Sequence, residues 1–110
     1  MKRSKYGNVW TEVDGIKFQS KAEARRYSEL KLLERSGEIT DLILQPAYQL
    51  QCTHHKGGPF NVGRYVADFS YTDSRGTWVV EDVKGIETAI FKWKRRHFEA
   101  QSGQKITIVK

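Results

Sequence analysis

Cysteine, proline and long apolar runs are scarce in this sequence, and each scarcity narrows the field. A single cysteine, Cys52, excludes an internal disulfide framework and fits a reducing compartment. No apolar stretch approaches the ~20 residues of a bilayer-spanning helix. The opening MKRSKYGNVW has no signal-peptide core, so we expect no membrane insertion and a cytoplasmic location. Of the two prolines, Pro46 interrupts an apolar segment, where it marks an edge, a bulge or a kink, and Pro59 sits in a polar Gly-Pro stretch. There is no internal repeat, no low-complexity segment and no Ser-His-Asp pattern. Gly57-Gly58 lacks the lysine-threonine pair and helix of a phosphate-binding loop. Cys52, His54 and His55 offer three clustered zinc donors where a structural site takes four spaced ones, so zinc is set aside.

What is present is charge. The 110 residues are 38% hydrophobic and 29% charged, a composition for one globular domain with a modest core. Nineteen Lys and Arg against thirteen Asp and Glu give a formal charge of +6. That balance favours a polyanionic partner, nucleic acid before an anionic membrane. The cations cluster: Lys2, Arg3 and Lys5 near the start, then Lys92, Lys94, Arg95 and Arg96 within five residues. Both groups are candidates for phosphate contacts, although charge runs are commonly solvated helix faces.

Local signals divide the chain. Residues 1–7 read as a basic flexible arm. Asp14-Gly15 predicts the turn of a small β-ribbon over 8–18, outside the main sheet. Ser20 followed by Glu23 has capping-box spacing and opens a helix from about residue 21 to 35, stopping near Gly37. Ala24, Tyr27, Leu30 and Leu33 form its apolar face. Residues 41–52 read as a strand, or a strand pair broken at Pro46, and 53–61 as a polar loop. Strands over 64–72 and 77–84 follow. A second helix over 87–101 turns Ile90, Phe91, Trp93, Lys94, His97 and Phe98 inward and Lys92, Arg95, Arg96 and Glu99 outward. A last strand over 105–109, after a crossover helix, should run parallel to its neighbour. Trp10, Trp78 and Trp93 read as core or interface residues. The fold class is α/β: an αβββαβ core with a mixed central sheet flanked by helices.

The stretch RYVADFSYTDSRGTWVVEDVKG concentrates the chemistry. A three-residue loop, Ser74-Arg75-Gly76, closes a hairpin that sets Asp68 opposite Asp82, with Lys84 on the same face as Asp82. Facing carboxylates weaken a sheet, and a divalent cation with oxygen ligands is one reason to keep them. A four-residue loop would set Glu81 opposite Asp68 instead. A surface hairpin whose charges face water is the plain alternative, and spacing alone favours Glu23 as a cap over a ligand.

Asp68 on one strand and Asp82-Val83-Lys84 on the next, between two helices, resemble the PD-(D/E)XK nuclease superfamily. Ala67 stands where the proline of that name would be. The stretches KYGN, FQSKAEARRYSELKLLERSGEI, LQPAYQL, YVADFSY and VVEDVKG look like a family of small bacteriophage endonuclease-like proteins within it. The resemblance implies a restriction-endonuclease-like fold and a phosphodiester hydrolase using Mg²⁺, with Mn²⁺ able to substitute. Metal would be held by Asp68, Asp82, the Val83 carbonyl and Glu23, with Lys84 orienting or deprotonating the attacking water. The implied substrate is DNA, branched or a four-way junction, cut by a homodimer in the bacterial host cytoplasm during phage recombination or replication. A sequence-tolerant nicking nuclease and a non-catalytic basic DNA-binding accessory protein are the alternatives.

Overall fold

Residues 10–110 are described by the computed structural model. The basic arm over 1–7, with Lys2, Arg3 and Lys5, lies outside the described residues. Strands β1 (Thr11–Val13) and β2 (Ile16–Phe18) form the expected ribbon. Asp14 and Gly15 take positive φ of 53° and 78°, the primed-turn geometry that matches strand twist. Helix α1 (Lys21–Arg35) has the bounds predicted from its cap and apolar spacing. Ser20 Oγ accepts the Glu23 N–H at 3.1 Å, and the Tyr27 hydroxyl donates to Asp14 at 3.0 Å, clamping the helix onto the ribbon turn.

The strands that follow are β3 (Thr40–Leu44), β4 (Ala47–His54), β5 (Gly57–Val66), β6 (Phe69–Thr72) and β7 (Trp78–Val83); helix α2 (Ala89–Ser102) and β8 (Ile106–Val109) complete the chain. A four-stranded sheet runs β3-β6-β7-β8, with β8 parallel to β7 as the crossover predicts. The architecture is mixed α/β, with α1 packed on one face and α2 on the other.

The structure corrects the strand assignments in two places. Residues 53–61 are not a loop: they form the far end of a β4–β5 hairpin whose strands pair from Ala47↔Val66 out to His54↔Gly57. Every residue from 51 to 62 is exposed, so no buried face imposes an alternating pattern, and backbone pairing alone makes the strands. The strand expected over 64–72 is two strands bent apart at Ala67-Asp68. Opposite that bend Gln45-Pro46 separates β3 from β4. Gln45 N–H donates to the Asp68 carbonyl (2.9 Å) and Ala67 N–H to the Pro46 carbonyl (3.0 Å). One antiparallel pair thus runs through both sheets, and the proline stands at the kink.

Alternation along β7 sends Val79, Glu81 and Val83 toward α1, Val80 and Asp82 toward α2. Helix α2 starts at Ala89 on a Thr88 cap and buries only Phe91 and Phe98, two turns apart. Ile90 and Trp93, expected to face inward, remain 69% and 51% exposed, because the face that meets the sheet is only that narrow. His97 and Gln101 tie the helix to β4: His97 Nε2 is 2.8 Å from the Gln51 carbonyl, and the Gln101 amide bonds Gln49 and Gln51.

Glu81 is 1% exposed and forms a two-pronged pair with Arg26 of α1, at 2.8 and 2.6 Å, while the Tyr71 hydroxyl donates to the same carboxylate. Removing one partner of such a pair strands a buried charge. Arg26→Met should therefore lower unfolding free energy by ~3–5 kcal/mol in urea titrations. The double variant Arg26→Met/Glu81→Met should recover more than half of that loss. A single variant within ~1 kcal/mol of wild type would show that Glu81 has another source of compensation.

Candidate functional site

The three-residue loop sets the register. Asp73 N–H donates to the Thr77 carbonyl at 2.9 Å, and Gly76 takes φ 79°. The ladder ends at the Phe69↔Glu81 pair, one residue short of Asp68 and Asp82, and Glu81 belongs to the other face. Asp68 stands at the bend, its N–H donating to the Glu81 carbonyl (3.1 Å) and its carbonyl accepting from Gln45 (2.9 Å). In a continued ladder Val83 would pair with Ala67. Because the chain turns away there, the Val83 N–H donates instead to the Asp68 carboxylate at 2.7 Å. The strand end and the side chain at the bend therefore orient each other.

Asp82, 2% exposed, accepts from the Tyr65 hydroxyl at 2.6 Å and lies 3.3 Å from Lys84 Nζ. That ammonium also sits 4.5 Å above the Phe91 ring, which draws the start of α2 under the lysine. Glu23, on the first turn of α1, comes within hydrogen-bonding reach of Asp68. Its carboxylate also accepts the Gln19 N–H at 3.3 Å, so the capping box closes one residue before the cap. Glu23, Gln45 and Asp68 line a cleft of about 150 Å³ together with Lys17, Phe18 and Leu44.

Burial pushes the Asp68 carboxyl up to about 7, and the neighbouring Glu23 carboxylate adds to this. Burial likewise raises Asp82 to about 6, opposed by the Tyr65 hydroxyl and Lys84 and reinforced by Asp68. The Tyr65 phenol is raised far above its ordinary value by burial and by Asp82. Tyr65 therefore stays a donor at any physiological pH.

The carboxylates form a chain, Glu23 beside Asp68 beside Asp82, rather than a closed ring. Among the described residues no group of three or more His, Cys, Asp or Glu side chains is placed to hold a metal ion. The Asp68 and Asp82 carboxylates, with a cleft beside Asp68, fit Mg²⁺, which keeps several waters and is bound through one or two carboxylates. The raised carboxyl values go with this: burial first, and then the neighbouring carboxylates, disfavour the ionised forms beyond what Lys84 and Tyr65 offset.

Glu23, Asp68, Asp82, Val83 and Lys84 are thus gathered at one end of β7, Val83 contributing the N–H described above. The α2 cations are not gathered there. Lys92 and Arg96 are exposed along a separate groove with Trp93 and His97. Lys94 is half-buried, and Arg95 is paired with Glu87 at 3.0 Å. His54 stacks on Phe60 with ring centroids 4.9 Å apart, beside exposed Cys52. Sequence reasoning missed Tyr65: a tyrosine three residues before an aspartate has no special signal until the strand bends between them. It also left Glu81 open, which the Arg26 pair assigns to the opposite face.

The chain belongs to the DUF1064 family: the model of that family, described as "Protein of unknown function (DUF1064)", matches residues 3–110. No curated protein and no solved structure matches the chain.

Two carboxyls raised in the fold favour it while protonated. Their contribution is complete below the unfolded value of 3.8 and disappears as pH rises through about 6 for Asp82 and about 7 for Asp68. Without divalent ions the melting temperature should fall between about pH 5 and about pH 8, and millimolar Mg²⁺ should restore roughly 5 °C or more at the upper end. Asp68→Asn should flatten both dependences. Differential scanning calorimetry across this range checks the sign; a metal-free melting temperature that rises with pH would contradict the site's charge crowding.

Proposed function

We propose that this protein is a Mg²⁺-dependent endodeoxyribonuclease with a PD-(D/E)XK-type site, hydrolysing phosphodiester bonds in branched DNA. One observation supports this above others. Buried Asp82 and half-buried Asp68 lie close together where β6 and β7 part, with Lys84 against Asp82 and Glu23 lining the same cleft as Asp68. Like charges brought together at a sheet weaken it, and the fold tolerates these without a full set of cationic partners.

In this reading Asp68 and Asp82 would hold the metal, assisted by the Val83 carbonyl, and Glu23 would contribute directly or through water. The ion, when bound, supplies Lewis-acid stabilisation of charge at the scissile phosphate. Lys84 Nζ orients the attacking water and offsets phosphate charge. The Tyr65 hydroxyl fixes the Asp82 carboxylate, leaving its other oxygen toward Lys84 and the reacting groups. Cutting a junction symmetrically would take a homodimer, and phage recombination or replication in the host cytoplasm is the proposed setting. A sequence-tolerant nicking nuclease would use the same residues. The Lys84–Asp82 ion pair, which already offsets one carboxylate, favours the competing reading of a DNA-binding accessory protein without turnover.

Asp82→Asn should reduce cleavage of end-labelled junction, flap, single-stranded and duplex DNAs by at least about 100-fold while leaving DNA binding intact. Lys84→Ala should cost ~10²–10⁴-fold in rate with less effect on binding. If wild type cuts none of these DNAs with Mg²⁺ or Mn²⁺, yet binds them as Asp82→Asn does, the accessory-protein reading replaces the enzyme.

A further inference from the structure

Helix α2 has a second apolar stripe that no part of the described chain covers. Ile86 ahead of the helix, then Ile90 and Trp93, are 84%, 69% and 51% exposed. Ala89, Lys92, Trp93, Arg96 and His97 line an open groove of about 490 Å³, large enough for a nucleotide. Among the described residues neither Lys92 nor Arg96 makes a salt bridge, whereas Arg95 next to them is paired with Glu87. The His97 ring lies 5.5 Å from the Trp93 ring and is anchored on the Gln51 carbonyl. The indole is therefore buttressed through the helix onto β4, and an aromatic already held in place loses little freedom on stacking.

The neighbouring hairpin carries the same bias. From residue 42 to residue 67, the whole β4–β5 ribbon and its flanks, there is no Asp or Glu, while Lys56 and Arg64 are exposed. Gln101 meets Gln49, and His97 meets Gln51, so α2 runs antiparallel to β4 and its Trp93 end is directed toward the distal half of this acid-free ribbon.

From this we propose that the outer stripe of α2 is a platform for single-stranded DNA, one unpaired base stacking on Trp93 and the flanking phosphates meeting Lys92 and Arg96. A protein partner would need acidic groups opposite two cations around an indole, whereas a nucleic-acid strand supplies phosphates on either side of every base. Bases within a duplex do not offer their faces, so the unpaired strand is the form that fits. The inference rests on the nuclease reading and deepens it, naming a substrate that exposes unpaired nucleotides near a strand branch.

Binding and cleavage are read separately. Full-length protein in EDTA is titrated into fluorescein-labelled oligo-dT of about 12 nucleotides and into a duplex of equal length. Trp93→Ala should weaken oligo-dT binding about 10-fold with little change for duplex, and Trp93→Phe should retain most of the affinity. Lys92→Ala and Arg96→Ala should each reduce the salt slope by about 0.7. Oligo-dT binding unchanged in Trp93→Ala would overturn the proposal. So would a dimer, seen by sedimentation, that this variant converts to monomer without loss of oligo-dT affinity, since the stripe would then belong to a second copy. Trp93-dependent binding in a protein that cleaves nothing would support the platform and reject the nuclease.

Discussion

The shared bend at Gln45-Pro46 and Ala67-Asp68 is the constraint on which the rest of the molecule depends. Two strands leave the central sheet together there, still paired with each other, and rise into the β4–β5 hairpin. Their departure leaves Val83 without a partner on the β6 side and presents Asp68 at the opening. A strand end with an unpaired N–H is costly to bury, and the Asp68 carboxylate satisfies it. The same bend carries Tyr65 over the face where Asp82 is buried, so one backbone feature assembles most of the site.

Strand β7 shows how a two-faced sheet separates neighbouring charges. Glu81 and Asp82 are adjacent in sequence and equally buried, yet they meet opposite environments. On the α1 face Arg26 and Tyr71 satisfy Glu81 fully, a pair whose value lies in docking the helix at a defined register. On the α2 face Asp82 has one phenol and one partly exposed ammonium, with a second carboxylate across the strand. The first is a finished structural contact. The second keeps a surplus of negative charge that a divalent cation would relieve.

The parts of the fold that were legible in sequence are those built from local chemistry. Ser20 and Gly37 bound α1, Asp14-Gly15 and Gly76 shape their turns, and the crossover through α2 makes β8 parallel to β7. Loop length at 74–76 was enough to set the hairpin register as far as Phe69 and Glu81, the last pair before Asp68. The hairpin tip over 53–61 was not legible, because a fully exposed ribbon has no buried face to write alternation into its residues. Ile90 and Trp93 were misassigned for the converse reason: apolar periodicity in α2 is broader than the surface available to cover it.

By itself, then, the sequence determined the elements, their order, the turn chemistry and the register that brings two aspartates and a lysine to one strand end. Those follow from φ preferences, capping and the two-residue repeat of a strand, all properties of neighbouring residues. Only the tertiary structure decided that Glu81 belongs to Arg26, that Tyr65 and Glu23 join the aspartates, and that Trp93 stays in the open beside exposed Lys92 and Arg96. Each of those depends on how far a bent strand and a short helix reach across a small sheet, a distance set by packing rather than by any local preference.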